Sequence, residues 1–154
     1  MRSASATGPQ PEARTFFVDR SLGAKHVVDA LRLAGLDVIG HAERFAHDAD
    51  DLEWLQVAGE SGWVVLTKDA NIRRNEIERR ALIDAGVAAF MLARADLAGA
   101  TMAQLWVKSI PKLLRALEEH TPPFIATLSA SGQVLVRWRG DEKLAHPIEV
   151  RSRD

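Results

Sequence analysis

Four short apolar runs, separated by stretches with helical periodicity, place the strongest constraint on the fold of this 154-residue chain. Residues 15–18 (TFFV), 37–40 (DVIG), 63–67 (WVVLT) and 87–92 (VAAFML) have the length and the apolar content of buried strands. The segments between them repeat apolar residues at helical spacing. Strands that alternate with helices in this way predict an α/β three-layer sandwich around a mostly parallel central sheet.

The C-terminal third of the chain departs from this alternation. A long helix with Thr101 as its cap is predicted there, and Pro111 inside it should kink it or split it in two. The segment PFIATLSASGQVLVRW contains two strand-like runs joined by a Ser-Gly turn, which predicts a closing β-hairpin at an edge of the sheet. We therefore expect a disordered leader at 1–14, one domain at 15–139 and a polar tail at 140–154.

Composition narrows the classes of function that the chain can have. Cysteine is absent, which excludes disulfide frameworks, thiolate zinc sites and cysteine nucleophiles. The net charge is -1, so any polyanion must be held by a local basic patch or by metal ions. No apolar run approaches the ~20 residues of a membrane span, and the N-terminus lacks the apolar core of a secretory signal. We expect a cytoplasmic protein without membrane contact.

Two aspartates occupy the same place relative to two predicted strands. Asp19 directly follows the first strand, and Asp69 follows the third strand after Lys68. Ligands of open α/β sheets bind at the carboxyl ends of the strands. If the two strands are neighbours, their carboxylates lie close together, which usually requires a cation between them or a shared proton. A site made only of oxygen ligands favours Mg²⁺ or Mn²⁺.

Asp51 is a third candidate ligand. It shares one face of a predicted helix over residues 51–59 with Leu55 and Ala58, so it should point towards the sheet. Each of the three aspartates also has a purely structural interpretation. Asp51 could stabilise the N-terminus of its helix, while Asp19 could cap a helix and Asp69 could serve as a turn residue.

Polar residues surround Asp69 in the sequence. Thr67 and Asn71 are placed to orient its carboxylate. The sequence also predicts a basic patch that binds phosphate oxygens, formed by Lys68, Arg73 and Arg74.

Two groups of side chains keep alternative interpretations. Arg74 could instead lie on a solvated helix face, paired with Glu78 four residues later. Trp54, Trp106 and Trp138 are candidates for a partner surface if they are exposed.

These features together resemble the PIN-like nucleases, and most closely the VapC-type toxins of bacterial toxin–antitoxin pairs. The similar stretches are FFVDRSLG, VVDALRLAGLDV, DDLEWLQVAGESGWVVLTKD and NIRRNEIE, all within residues 15–93, and PFIATLSASGQVLV resembles the closing hairpin. The resemblance implies a ribonuclease that depends on Mg²⁺ or Mn²⁺, hydrolyses RNA, is inhibited by a cognate antitoxin and can form a homodimer. It assigns the family's catalytic and metal-binding acids to Asp19, Asp51 and Asp69.

The resemblance also implies a fourth acid, for which the sequence offers no direct match. The nearest position holds Asn71, and Glu43 or Asp96 could supply the ligand instead. This departure supports an alternative, a PIN-like binding module without catalytic activity. A phospho-accepting receiver domain is disfavoured, because Asp19 is followed by Arg20 where two adjacent acids are expected.

Overall fold

The computed structural model of the chain describes residues 14–93 and 96–152, so the predicted leader lies outside them apart from Arg14. The strands of the sheet are β1 (Thr15–Val18), β2 (Asp37–Gly40), β3 (Val64–Thr67), β4 (Ala88–Leu92), β5 (Phe124–Leu128), β6 (Val134–Arg139) and β7 (Glu142–Val150). Their spatial order is β2-β1-β3-β4-β5-β6-β7. Strands β1 to β5 are parallel, and β6 and β7 are antiparallel to their neighbours.

Helices cover both faces of this sheet. In the described part of the chain they are α1 (His26–Leu33), α2 (His41–Arg44), α3 (Asp51–Ser61), α4 (Asn71–Arg74), α5 (Glu76–Ala85) and α6 (Gly99–Glu119). Helices α1 and α6 pack on one face and share one hydrophobic cluster with it. Helices α3 to α5 pack on the other face around a second cluster. The predicted three-layer α/β sandwich is confirmed.

Strand β1 shows why the apolar runs are unbroken. Phe16 and Val18 point into the α1–α6 cluster, whereas Phe17 points into the opposite cluster. There its ring stacks with Trp54 at a centroid distance of 5.1 Å and with Trp63 at 5.4 Å. A strand that is buried on both faces needs apolar side chains at every position, so alternation is lost.

Gly59 determines how closely α3 approaches α5. A Cβ atom at this position would lie 2.3 Å from the carbonyl oxygen of Ala85, a distance that real Cβ contacts do not reach. Both residues lie near the C-terminal ends of their helices. The N-terminal ends of the same two helices carry Asp51 and Glu78, so this contact helps to set the spacing of those two acids.

The predicted polar tail is wrong over most of its length. Residues 142–150 form β7, which pairs with β6 so that Val150 lies opposite Val134. Lysine, proline and exposed polar side chains are typical of an edge strand, which explains why the segment did not resemble a strand in sequence. The sheet therefore extends to Val150, beyond the predicted domain end at residue 139.

Two details of the predicted C-terminal region also change. Helix α6 begins at Gly99, before Thr101, and runs through Pro111 without interruption, so the predicted split does not occur. The hairpin of β5 and β6 is present, but β5 lies inside the sheet, parallel to β4. Among the described residues, no helix is both long enough and apolar enough to cross a membrane.

Candidate active site

Asp19 is buried at the end of β1, with only 3% of its surface exposed. Its backbone amide donates to the carbonyl of Leu66 at 2.9 Å, which continues the pairing of β1 with β3. Its Oδ2 accepts hydrogen bonds from the hydroxyls of Ser21 at 2.7 Å and Thr67 at 2.8 Å. Asp19 also caps the 3₁₀ turn at Arg20–Leu22, so the capping interpretation holds as well.

The hydroxyl of Thr67 connects the ends of the two strands. It is buried, donates to Asp19 and accepts the backbone amide of Asp69 at 3.0 Å. The hydroxyl of Ser21 accepts the amide of Lys68 at 3.0 Å. Strands β1 and β3 are thus neighbours, which is the condition that the predicted approach of Asp19 and Asp69 required, and their ends are joined by two hydroxyl groups.

Two adjacent aspartates at the start of α3 have different roles. Asp50 is the N-cap, because its Oδ1 accepts the amide of Leu52 at 3.0 Å. Asp51 is half-buried, and its Oδ1 accepts the indole N–H of Trp54 at 2.9 Å. The capping role therefore belongs to Asp50, and Asp51 is turned towards the protein interior.

Three carboxylates converge at the carboxyl edge of the sheet. One oxygen each of Asp51, Asp69 and Glu78 lies within 4.8 Å of the others, and we refer to these residues as the acid cluster. Asp69 also accepts the backbone amide of Asn71 at 2.9 Å, so its turn role is realised too. Carboxylates this close repel one another unless a cation or a proton lies between them.

Glu78 is the member of the acid cluster that the sequence did not predict. Its Oε1 is buried and has no hydrogen-bond partner. Burial raises the pKa of Glu78, and the negative charges of Asp51, Asp69 and Asp19 raise it further. A buried carboxylate oxygen without a donor, facing other carboxylates, fits the chemistry of a cation ligand.

A break between two helices explains why Glu78 was missed. Helix α4 ends at Arg74, and Asn75 then caps α5 by accepting the amides of Ile77 and Glu78 at 2.9 Å and 3.2 Å. The predicted pairing of Arg74 with Glu78 assumed one continuous helix. An Asn followed by Glu three residues later is a capping pattern, and that signal in the sequence would have placed Glu78 in a first helical turn.

The residues predicted to supply a fourth acid lie elsewhere. The carboxylate of Glu43 pairs with Arg32 at 2.6 Å and accepts the amide of Gly40 at 2.9 Å. The hydrogen bond from Arg32 is the main reason why the pKa of Glu43 is lowered. Asp96 is exposed in the loop before α6, and the side chain of Asn71 is exposed as well. Neither Glu43 nor Asp96 belongs to the acid cluster.

His41 lies beneath the site but is not part of the acid cluster. Its ring packs against Phe17 and Phe45, at centroid distances of 6.1 Å and 5.6 Å. Burial lowers the pKa of His41, and the charges of Asp19 and Asp51 oppose that shift. We therefore regard His41 as a neutral packing residue.

The predicted basic patch is divided between two cavities. Arg73 and Arg74 line a cavity of about 530 Å³ together with residues of β6 and β7. Lys68 lines a separate cavity with Arg20 and Ser21. Burial lowers the pKa of Arg73, and the nearby positive charges add to that effect.

The three tryptophans considered for a partner surface are differently placed. Trp54 and Trp106 are buried in the two hydrophobic clusters, so they cannot form such a surface. Trp138 is half-buried and remains partly accessible.

Comparison with known proteins identifies the family of this chain. A model of the PIN like domain matches residues 15–94, which include Asp19 and the whole acid cluster. The chain belongs to the PIN-like domain family. A Mycobacterium tuberculosis protein, whose name describes it as a candidate ribonuclease, VapC45, is 39% identical over 124 residues, which cover 78% of this chain and 89% of that protein. The resemblance to VapC-type proteins is thereby confirmed. No solved structure gives a significant match.

Proposed function

We propose that this protein is an endoribonuclease that depends on Mg²⁺ or Mn²⁺, and that it is the toxin of a type II toxin–antitoxin pair. The acid cluster carries the proposal, because three carboxylates lie within 4.8 Å of one another at the carboxyl edge of a parallel sheet. The name of the VapC45 relative supports RNA as the substrate class. We assign the catalytic and metal-binding roles to Asp19, Asp51 and Asp69, with Glu78 as the fourth acid.

The donor set suits a small divalent ion. All members of the acid cluster are carboxylates, and Mg²⁺ and Mn²⁺ prefer oxygen ligands. The buried Oε1 of Glu78 lacks a donor, and the pKa of Glu78 is raised first by burial and then by negative neighbours, whose charge a cation would neutralise. Both observations favour metal binding over a purely structural role for these acids.

The residues of the site would hold the metal ion, orient the carboxylates and neutralise the charge of the RNA phosphate. A divalent ion held by the acid cluster would supply positive charge, which would activate a water for attack on a phosphodiester and stabilise the leaving oxygen. Asp51, Asp69 and Glu78 hold that charge in place, and Thr67 fixes the orientation of the Asp19 carboxylate. An aspartate of the site accepts the proton of the attacking water. Lys68 and Arg73 bind phosphate groups of the RNA, and the backbone amide of Asn71 holds the carboxylate of Asp69.

The alternative of an inactive binding module loses its main support. That alternative rested on the absence of a fourth acid near Asp69. We assign this role to Glu78, in the first turn of α5, because it lies beside Asp51 and Asp69, whereas the sequence had offered only Asn71, Glu43 or Asp96.

We further propose a cognate antitoxin partner, a homodimer and a cytoplasmic location. An apolar surface between α1 and α6 supports a protein partner, since Leu33 is 91% exposed there and lines a cavity of about 690 Å³. The molar mass in solution, measured by light scattering, tests the homodimer directly.

Cleavage of a mixed RNA pool with Mn²⁺ tests the enzymatic proposal. The parent should cut RNA, and Asp69→Asn should not, although an asparagine oxygen can still accept the amide of Asn71. Asp84→Asn is the matched control, because Asp84 is exposed on α5. A folded parent that cuts nothing with any divalent ion would favour the binding module. Equal cleavage by the parent and Asp69→Asn would reveal a contaminating nuclease.

A further inference from the structure

A second charged site is built on the other side of α5. The cavity of about 530 Å³ between α4–α5 and the β6–β7 hairpin is lined by five cationic side chains, and we call it the basic pocket. These side chains are Arg73, Arg74, Arg79, Arg137 and Lys143. Among the described residues that line it there is no Asp or Glu. On helix α5, Glu78 belongs to the acid cluster and Arg79 lines the basic pocket.

Two guanidinium groups of the basic pocket, those of Arg79 and Arg137, are held in position. Arg79 lies over the ring of Trp138 at 4.4 Å and donates to the carbonyl of Arg73 at 2.9 Å. Nε of Arg137 donates to the hydroxyl of Thr127 at 2.8 Å. A guanidinium carries five N–H donors, so each of these arginines keeps further donors for a ligand.

Positive charge is concentrated here without compensation in the lining. Burial lowers the pKa of Arg73, and the charges of Arg137 and Arg74 lower it further. The whole chain has a net charge of -1, so the basic pocket does not follow from a generally basic composition. An anion in the pocket would relieve both the burial cost and the mutual repulsion.

The chemistry of the lining indicates a phosphate group. Arginine forks bind phosphate oxygens in pairs, which a lysine-rich surface does not do. Trp138 packs against the core and carries Arg79 on its ring, so that ring is occupied as a support for the guanidinium. A nucleotide base therefore has no free stacking platform there.

We propose that the basic pocket binds a phosphate of the RNA strand outside the scissile position, so that the C-terminal hairpin holds the substrate. This inference rests on the proposed ribonuclease function. It adds Arg79, Arg137 and Lys143 to the phosphate-binding residues, and the last two lie beyond the stretch matched by the family model.

Binding of a labelled single-stranded RNA of mixed sequence, followed by fluorescence anisotropy in EDTA, tests this assignment without cleavage. Arg137→Gln should weaken binding about tenfold and lower the slope of log K against log salt by about 0.7. Lys143→Gln should act in the same direction. The matched controls are Arg139→Gln, exposed on the same strand, and Lys108→Gln, exposed on α6, and both should change affinity less than about twofold.

Cleavage kinetics with Mn²⁺ provide the second readout. Arg137→Gln should raise KM about tenfold and leave kcat near the parent value, because the pocket lies outside the reacting atoms. Arg137→Lys keeps the charge but loses the fork, so its KM should fall between those of the parent and Arg137→Gln. Thermal unfolding confirms that each variant is folded.

Three results would overturn the assignment. If the parent cleaves RNA and Arg137→Gln has the same affinity, salt slope and KM as the parent, the basic pocket does not bind RNA. The proposed ribonuclease function would be unaffected by that result. If the parent neither binds nor cleaves RNA, both the RNA-binding role of the basic pocket and the proposed ribonuclease function are wrong. Variants that bind RNA normally but lose binding of a poly-glutamate peptide would assign the pocket to an acidic protein segment instead.

Discussion

The acid cluster and the basic pocket each include one residue from the first turn of α5, Glu78 and Arg79, yet they concentrate charge of opposite sign. The acid cluster brings three carboxylates within 4.8 Å of one another, and the basic pocket is lined by five cationic side chains. Neither set is neutralised within its own site. In the proposed function a divalent ion would neutralise the first site and an RNA phosphate the second, and these are the two components of a metal-dependent phosphodiester cleavage.

The two sites also differ in which part of the fold builds them. The acid cluster and Asp19 lie within the stretch matched by the PIN like domain. The basic pocket needs β6 and β7, which lie outside that stretch. We therefore expect damage to the first site to reduce the rate of chemistry, and damage to the second to reduce affinity for RNA.

The largest effect should come from Asp51→Asn, compared with Asp50→Asn. Asparagine caps a helix as well as aspartate does, so Asp50→Asn should keep both stability and activity. Asp51→Asn should lower kcat about a hundredfold or more, since a metal contributes several kcal/mol and each ~1.4 kcal/mol is tenfold. Single-turnover cleavage measures both variants. Equal losses in both would mean that the start of α3 has only a structural role.

Glu78→Gln should produce two changes of opposite sign. The raised pKa of Glu78 means that its negative charge destabilises the metal-free fold above that pKa, so the variant should unfold at a higher temperature in EDTA. Its Mn²⁺ affinity should fall about tenfold, which is about 1.4 kcal/mol. Calorimetric titration and thermal unfolding measure these quantities.

Glu76→Gln is the control for Glu78, because Glu76 lies exposed in the same helical turn. It should behave as the parent in both measurements. Unchanged Mn²⁺ affinity in Glu78→Gln would limit the ligands to the aspartates and exclude Glu78 as the fourth acid.

Two buried threonines allow the sites to be disturbed separately. Thr67 joins Asp19 to Asp69, and Thr127 holds Arg137. Each change to valine removes a hydroxyl partner, and Thr67→Val should cost about 1–3 kcal/mol of stability. Thr67→Val should mainly lower kcat, whereas Thr127→Val should mainly raise KM, each about tenfold. The same kinetic change in both variants would show that the two sites are not independent.

Sequence reasoning was most successful where a single strand or helix determines the outcome. Strands β1 and β2 have the predicted bounds, because short apolar runs bordered by Asp or Gly leave little choice. The sequence placed Asp19 and Asp69 at strand ends and made their approach conditional on neighbouring strands. The structure meets that condition, and Thr67 links Asp19 to the backbone amide of Asp69. In these strands the local sequence pattern and the buried position in the sheet both require apolar residues, so the pattern alone identifies the strand.

The missed features depend on contacts between elements. Glu78 reaches the acid cluster because Asn75 starts a new helix and because Gly59 lets α3 approach α5. Strand β7 was missed because an edge strand exposes most of its side chains, so its sequence is polar. The basic pocket joins residues more than sixty positions apart, and helical or strand periodicity carries no information about such a pairing.

The smallest predicted effect concerns His120, which belongs to neither site and so separates the acid sensitivity of the fold from that of the chemistry. Burial lowers its pKa below the usual value of 6.5, and its buried Nε2 has no partner. Stability should therefore fall as pH decreases below about 6.5, because protonation is easier in the unfolded chain. His120→Phe keeps a ring against Phe124 and should flatten this decline, in urea unfolding with EDTA present.

The exposed His146 provides the control for that experiment, since His146→Gln should leave the decline as it is in the parent. Part of the decline should persist in His120→Phe, because burial lowers the pKa of His41 as well. If His120→Phe loses stability on acidification as steeply as the parent, His120 does not cause the response, and His41, which interacts with the charges of Asp19 and Asp51, becomes the next candidate. In that case fold stability and site chemistry would share one titrating group, and the pH dependence of cleavage would have to be corrected for unfolding before it could report on the acids.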